Sequence, residues 1–121
     1  MALALMGIGR PQLALSRLEL EPRTVEFGNT ITVKFELESR SRKSQRLVID
    51  YIIHFMKSNG KPSPKVFKLS TRTMKAGEKV EIERRHAFKP ITTRKYYSGR
   101  HRLEIQVNGV VLDGADFELV M

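Results

Sequence analysis

The residues whose chemistry most clearly suggests a function are cations, which are concentrated in two segments of the chain. One segment contributes Lys57, Lys61 and Lys65. The other combines cations with hydroxyl side chains and two adjacent tyrosines: Arg84, Arg85, Lys89, Arg94, Lys95 and Arg100, with Thr92, Thr93, Ser98, Tyr96 and Tyr97. Lys and Arg neutralise phosphates, hydroxyls add neutral hydrogen bonds, and an aromatic ring can stack on a base or wedge at a groove. The pattern therefore predicts a polyanion as the partner.

The positive charge is concentrated in the middle of the chain. Residues 39–102 carry 18 of the 22 Lys and Arg residues with only four acids, a net charge of +14, whereas residues 1–38 sum to −1 and residues 103–121 to −4. Such an uneven distribution makes a strong local field that favours a nucleic acid. A solvated basic surface that only maintains solubility is the alternative. A second basic patch has no aromatic neighbour and consists of Arg40, Arg42, Lys43 and Arg46, with Arg72 and Lys75 expected at the same end.

The chain offers no convincing catalytic or metal-binding set. It contains no Cys, so disulfides and thiolate metal sites are excluded, and a zinc site would need carboxylates from a region that has few. Of the three histidines, His54 and His101 fit structural roles in strands, and His86 is a weak candidate for a phosphate contact. No nucleophile-elbow spacing is present. We expect no enzyme activity, no cofactor and no metal.

Length and hydropathy favour one domain and no membrane span. A chain of 121 residues can bury a sufficient core without cross-links. No apolar run approaches the roughly 18 residues that a membrane span needs. Met1–Gly9 is apolar but lacks a preceding basic region, so it is a poor signal peptide. We expect residues 1–11 to be a linker and residues 12–121 to form the domain, a cytoplasmic monomer.

Short strands with period-2 alternation dominate the rest of the sequence. Apolar residues alternate with polar ones through most of the predicted strands, which are 13–20, 30–38, 46–56, 65–70, 79–85, 101–107 and 110–119. Asn108-Gly109 permits the positive φ angles of a type I′ hairpin. We predict that eleven apolar residues point inward: Ile31, Val33, Phe35, Leu47, Ile49, Tyr51, Ile53, Phe67, Leu103, Ile105 and Val107.

About seven antiparallel strands of this kind predict an all-β fold, an immunoglobulin-like β-sandwich without a disulfide. A barrel is the alternative. In a sandwich the loops alternate between two ends, so the third and fifth connections, which hold the first two basic segments, should lie side by side. The patch around Arg40 should lie at the opposite end. A Tyr near the sixth strand can instead form a tyrosine corner, bonding back to the backbone.

Two long blocks carry a resemblance to a known family. They are YIIHFMKSNGKPSPKVFKL at Tyr51–Leu69 and TTRKYYSGRHRLEIQVNG at Thr92–Gly109. With them the chain resembles the C-terminal region of bacterial DNA alkylation repair proteins of the AlkC type, over most of residues 3–119. Ala4–Gly7 is similar to the point where the family's helical-repeat domain ends. Ser98 stands where the family pattern has Pro, which puts the shape of the Tyr97–Gly99 turn in question.

The resemblance implies a role in DNA repair. AlkC-like proteins are DNA glycosylases that remove alkylated bases, with the catalytic carboxylate in an N-terminal domain of HEAT-like repeats and an Ig-like C-terminal domain that helps to hold DNA. The catalytic residues have no counterparts here. The residues that carry over are Lys57, Asn59, Lys61, Lys65, Arg94, Tyr96, Tyr97, Arg100 and His101.

The expected function is therefore an accessory domain that grips the backbone of duplex DNA without regard to sequence, beside an upstream HEAT-like catalytic domain. The alternative is an Ig-like protein-interaction module that docks on an acidic partner or on the parent's helical domain. In that case the acidic strands 13–20 and 103–121 could form the docking face.

Overall fold

The computed structural model describes residues 11–57, 61–88 and 96–121. These residues form eight β-strands: β1 Leu13–Glu21, β2 Thr24–Glu26, β3 Thr30–Ser39, β4 Gln45–Met56, β5 Pro62–Met74, β6 Lys79–Ala87, β7 Gly99–Val107 and β8 Val110–Val120. All seven predicted strands are present. The additional strand, β2, has only three residues, which is too short to show an alternation in the sequence.

The strands form two sheets of a β-sandwich. The three-stranded sheet has the order β1-β3-β6, and the five-stranded sheet has the order β2-β8-β7-β4-β5. All pairings are antiparallel except β2 with β8, which is parallel. The chain changes sheets between β1 and β2, next to the cis peptide Glu21–Pro22. The fold class is confirmed as an Ig-like sandwich, and the strand number is corrected from seven to eight.

The core lies between the sheets and is almost entirely aliphatic and aromatic. Ten of the eleven residues predicted to point inward are buried, and Phe35 in β3 is only 1% exposed. The eleventh, Phe67, is half-buried but still packs against the core. Phe67 is less covered because it lies on β5, which is an edge strand. The predicted inward phase is therefore correct in β3, β4, β5 and β7, the four strands that hold these residues.

Strand β5 is much longer than predicted. The prediction covered residues 65–70, whereas the strand runs from Pro62 to Met74. Pro62 and Pro64 resemble loop residues in the sequence, but an edge strand tolerates proline because one side of its backbone has no neighbour to bond. At the other end Met74 is fully buried and extends the core.

Candidate nucleic-acid interface

The two basic connections lie at the same end of the sandwich, as predicted. The ring of Tyr96, in the β6–β7 connection, lies 5.8 Å from the ring of Phe55 at the end of β4 and 6.1 Å from that of Phe88. It also lies 5.3 Å from Phe27, in the turn before β3. We call the surface around these connections the loop end.

The three lysines of the first basic segment lie around the β4–β5 connection and in the first part of β5. Lys57 and Lys61 are exposed on either side of the β4–β5 connection, and the Lys57 amide donates to the Lys61 carbonyl at 3.2 Å. Lys65 lies in β5, four residues after Lys61, and its Nζ is 5.7 Å from the centre of the Phe67 ring. These three lysines are therefore exposed at the end of β4 and at the start of β5.

Arg84, Arg85 and Arg100 point in three directions. Arg84 follows the inward phase of β6, because its partner in β3 is the buried Val33, and its Nη2 donates to the carbonyl of Leu69 in β5. Arg85 takes the opposite phase, on the outer face of the three-stranded sheet. Arg100 lies opposite Glu118 in the register of β7 and β8, on the outer face of the five-stranded sheet. Because the two faces are separated by the thickness of the sandwich, one flat surface cannot contact both.

The two tyrosines also differ. Tyr96 is half-buried, and its ring is one member of an aromatic cluster that caps the core, so its packing role is established whatever it contacts outside. Tyr97 is half-buried as well and follows Tyr96 directly. Ser98 accepts a hydrogen bond from the Met121 amide at 3.0 Å, which fastens the end of β8 to this turn. Asn59, Lys89, Arg94 and Lys95 lie outside the described residues.

The second basic patch is at the opposite end, also as predicted. Arg40 pairs with Glu38 at 3.2 Å, and its amide donates to the carbonyl of Gln12. Arg42, Lys43 and Arg46 are exposed around the β3–β4 connection. The described chain thus begins beside this patch, about the length of a strand away from the loop end.

The histidines have structural partners. His101 is 1% exposed; its Nε2 accepts from the Met56 amide at 3.3 Å and its Nδ1 donates to the Gly99 carbonyl at 3.0 Å, which defines a neutral ring. Burial lowers the pKa of His101, although the Gly99 bond and the charge of Glu118 act in the opposite direction. The prediction of a structural His101 is confirmed.

His54 and His86 are equally engaged. His54 lies 2.7 Å from Glu104 through Nε2 and Oε1, as expected for a hydrogen-bonded strand residue, and this bond is the main reason that the pKa of Glu104 is lowered. His86 lies 2.9 Å from the Tyr51 hydroxyl through Nδ1, and its ring packs between Phe67 and Phe88. The described residues contain no cluster of three or more His, Asp or Glu that could hold a metal ion.

On the outer face of the five-stranded sheet, one arginine forms ion pairs with two acids. Arg102 in β7 contacts Glu104 at 3.2 Å and Asp116 in β8 at 3.1 Å. Gly114 leaves room for it, since a Cβ there would lie 2.8 Å from the Arg102 Nη2. These ion-paired residues border a shallow apolar depression of about 340 Å³ that includes Met56, Pro62 and Arg100.

In the described part of the chain, no helix could cross a membrane.

The fold segregates charge in a way that the sequence did not reveal. Strand β8 carries Asp113, Asp116 and Glu118 and no base, whereas β5 carries Lys65, Lys68 and Arg72 and no acid. Their separation in the sheet follows from the strand order, which places β5 at one edge and β8 toward the other. The acidic run at residues 103–121 was visible in the sequence, but its distance from the basic strand was not.

The fold defines an Ig-like β-sandwich domain with a basic edge strand, β5, and an acidic strand, β8. The comparisons with known proteins give the family. Residues 14–121 match the model of the YhaZ C-terminal Ig-like domain, and the chain belongs to that family. It is 34% identical over 119 residues to the uncharacterized protein YhaZ of Bacillus subtilis strain 168, covering 98% of this chain and 33% of that protein.

A solved structure is similar over the whole domain. It is the alkylpurine DNA glycosylase AlkC of Pseudomonas fluorescens, bound to DNA containing an abasic site analog, with 39% identity, a TM-score of 0.94, and coverage of 99% of this chain and 34% of that one. The β-glucosidase of Listeria innocua in complex with isofagomine has a TM-score of 0.74 at 17% identity, over 95% of this chain and 17% of that one, which shows the fold alone. The chain thus spans about a third of the length of its YhaZ and AlkC relatives.

Proposed function

We propose that this domain is the DNA-holding accessory part of an alkylpurine DNA glycosylase. It contacts the backbone of duplex DNA through cations at the loop end, without reading the sequence. In this proposal the catalytic chemistry resides in an upstream domain of HEAT-like repeats, and the protein works as a monomer in the bacterial cytoplasm, where the DNA is.

One observation carries the proposal. The chain is 39% identical, with a TM-score of 0.94, to a region of a glycosylase whose structure contains DNA. The charge supports the same partner, because a net +14 over residues 39–102 would attract phosphates over a long range. Sequence readout is not expected, because the described residues include no helix that could lie in the major groove.

The test is the salt dependence of binding to a short duplex. The 121-residue chain should bind with a Kd of roughly 10⁻⁴–10⁻⁶ M at physiological salt, the range typical of phosphate-only recognition. Log affinity should fall against log salt by about 0.9 for each neutralised phosphate. Replacing Lys61, Arg94 and Lys95 together with Gln should reduce both the affinity and the slope.

The matched control removes three cations at the other end, with Arg40, Arg42 and Lys43 replaced by Gln, and it should have the smaller effect. If this control variant loses binding and the loop-end variant keeps it, the site assignment is wrong. If the unmodified chain binds no duplex in low salt, the DNA-holding function itself is wrong.

The proposal also requires that the domain alone is not an enzyme. The isolated chain should release no base from alkylated duplex DNA, because Glu104 and Asp116, the acids that line the apolar depression, are both ion-paired with Arg102. Release above the buffer rate that is abolished by replacing one acid, such as Asp50 with Asn, would contradict the accessory role.

A protein-docking module is the second candidate, and the acidic strand β8 favours it. Asp113, Asp116 and Glu118 lie along one side of the sandwich and could face a basic surface of another domain. In that case binding would depend on this strand. Replacing Asp113 and Glu118 with Asn and Gln should then weaken association with the separately produced upstream domain of a relative, and should leave DNA binding unchanged.

A further inference from the structure

Strand β5 is an open edge of the five-stranded sheet, and it is unusually basic. It pairs only with β4, so no described strand bonds to its other side, where the Leu69 carbonyl accepts from Arg84 and most of the 13 residues are at least partly exposed. Residues 51–77 contain six Lys and Arg residues and no acid. Three of the six, Lys65, Lys68 and Arg72, lie within the strand, and Lys61 and Lys75 flank it. We call the surface formed by these five residues the β5 edge.

The cations of the β5 edge differ from three cations on the outer face of the three-stranded sheet, which are held in ion pairs. On the outer face of the three-stranded sheet, Lys34 pairs with Glu81, and both Arg17 and Lys79 pair with Glu36. Among the described residues, no ion pair involves Lys65, Lys68 or Arg72. Asp50 lies opposite Lys68 in the register of β4 and β5, but the two side chains do not form an ion pair. These three charges are therefore available to an external anion.

The acids of strand β8 are too distant to neutralise this edge. Strand β8 is three strands away from β5 in the sheet. Three spacings of 4.8 Å give about 14 Å, which exceeds the Debye length of about 8 Å at physiological ionic strength. On the facing strand β6, Arg84 reaches across to the carbonyl of Leu69 and so adds a further positive charge beside β5.

The cations of strand β5 emerge on both faces of the strand. Lys65 and Arg72 lie opposite the buried Ile53 and Leu47, so they share the inward phase and emerge in the seam between the two sheets. Lys68 has the opposite phase and emerges on the outer face. Lys65 and Arg72 are seven residue steps apart, which is about 23 Å at 3.3 Å per step, or about seven base pairs at 3.4 Å. A linear, regularly charged rod fits this arrangement.

We propose that the β5 edge is a second phosphate-binding surface, along which the backbone of duplex DNA runs from the loop end toward the opposite end of the sandwich. This inference rests on the proposed function and extends it. The loop end alone would contact DNA at one point, whereas the edge makes a continuous path past Lys61, Lys65, Lys68 and Arg72. The path also orients the domain, because the acidic strand β8 then points away from the DNA.

The test compares two triple variants of the 121-residue chain with equal changes in net charge. The edge variant is Lys65→Gln, Lys68→Gln and Arg72→Gln. The control variant is Arg17→Gln, Lys34→Gln and Lys79→Gln, on the outer face of the three-stranded sheet. Binding to a 16-base-pair duplex is measured from low salt upward, and thermal melting verifies that both variants fold. Loss of three phosphate contacts should reduce the salt slope by about 2–3 and the affinity in 0.1 M salt by more than about tenfold.

A second measurement needs no substitution. Acetylation of the unmodified chain, followed by mass spectrometry, should be slowed by the duplex at Lys65 and Lys68 and should be unchanged at Lys34 and Lys79. This result, together with a selective defect in the edge variant, would support the proposal.

Three outcomes would overturn it. Equal effects in the edge and control variants would mean that only net charge matters. An edge variant that keeps its affinity but self-associates would mean that these lysines only prevent edge-to-edge pairing. Loss of binding in the Lys61, Arg94 and Lys95 variant alone, with no protection of Lys65 or Lys68, would leave the proposed function intact and confine it to the loop end.

Discussion

Asn108 connects the hairpin turn of β7 and β8 to the neighbouring strand β4, and its replacement gives a sharp test of the fold. Asn108 and Gly109 have φ angles of 50° and 81°, as the predicted type I′ turn requires. The Asn108 side chain is buried as well: its Oδ1 accepts from the Val48 amide at 2.8 Å, and its Nδ2 donates to the Arg46 carbonyl at 3.3 Å. The residue therefore serves both the turn and the packing of the sheet.

The expected loss of stability follows from these contacts. Asn108→Ala removes two hydrogen bonds worth about 0.5–1.5 kcal/mol each, and it leaves the Val48 amide without its partner. Alanine also adopts a positive φ at a cost of roughly 1 kcal/mol. The free energy of unfolding should therefore fall by about 2–4 kcal/mol, a large part of the 5–15 kcal/mol typical of a domain.

Two further variants separate the contributions. Asn108→Gly keeps the turn geometry but loses both side-chain bonds, so it should be less destabilising than Asn108→Ala. Asn108→Asp keeps the acceptor for Val48 but buries a carboxylate oxygen against the Arg46 carbonyl, so it should be destabilising although the bond to Val48 remains. Urea unfolding at pH 7, monitored by circular dichroism, measures all three. An Asn108→Ala loss below about 0.5 kcal/mol would refute the role of these hydrogen bonds, and a larger loss in Asn108→Gly than in Asn108→Ala would refute the role of the positive φ angle.

Other consequences can be measured in the same way. Phe35→Ala should lower the free energy of unfolding by about 3–5 kcal/mol, because it opens a cavity in a close-packed core; a loss under 1 kcal/mol would contradict its burial. Because burial lowers the pKa of His101 below 6.5, the unfolded chain takes up a proton that the folded chain does not. Stability should thus decline as the pH falls below about 6.5, and less steeply in His101→Gln than in the unmodified chain. Gly114→Ala should force Arg102 to move and cost about 1 kcal/mol, which low salt should make more evident than high salt.

Local patterns were sufficient for the elements of this fold. The alternation through Ile31, Val33 and Phe35 follows from the geometry of a strand, whose successive side chains point to opposite faces, and it predicted both the strand and its buried side. Asn108-Gly109 predicted its turn because few residue pairs tolerate two positive φ angles. The alternation of loops between two ends placed the two basic connections together, since consecutive strands of a sandwich reverse direction.

Other features depend on which strands become neighbours, and local pattern does not contain that information. The three residues of β2 are a strand only because β8 offers them partners. The length of β5 and its two prolines make sense only at an edge, which the order β2-β8-β7-β4-β5 decides. Tyr96 was a candidate for DNA contact from its neighbours in the sequence, yet its ring lies against Phe27, Phe55 and Phe88, which come from distant parts of the chain.

By itself, the sequence determined the class of fold, the inward faces of the strands and the concentration of positive charge, because each depends on residue type and spacing along one strand or one turn. The tertiary structure alone decided where that charge is displayed. It separated the acids of β8 from the cations of β5, and it placed Arg84, Arg85 and Arg100 on three different surfaces of the sandwich. The physical reason is that a surface is built from residues remote in the chain, and only the pairing of the strands brings them together.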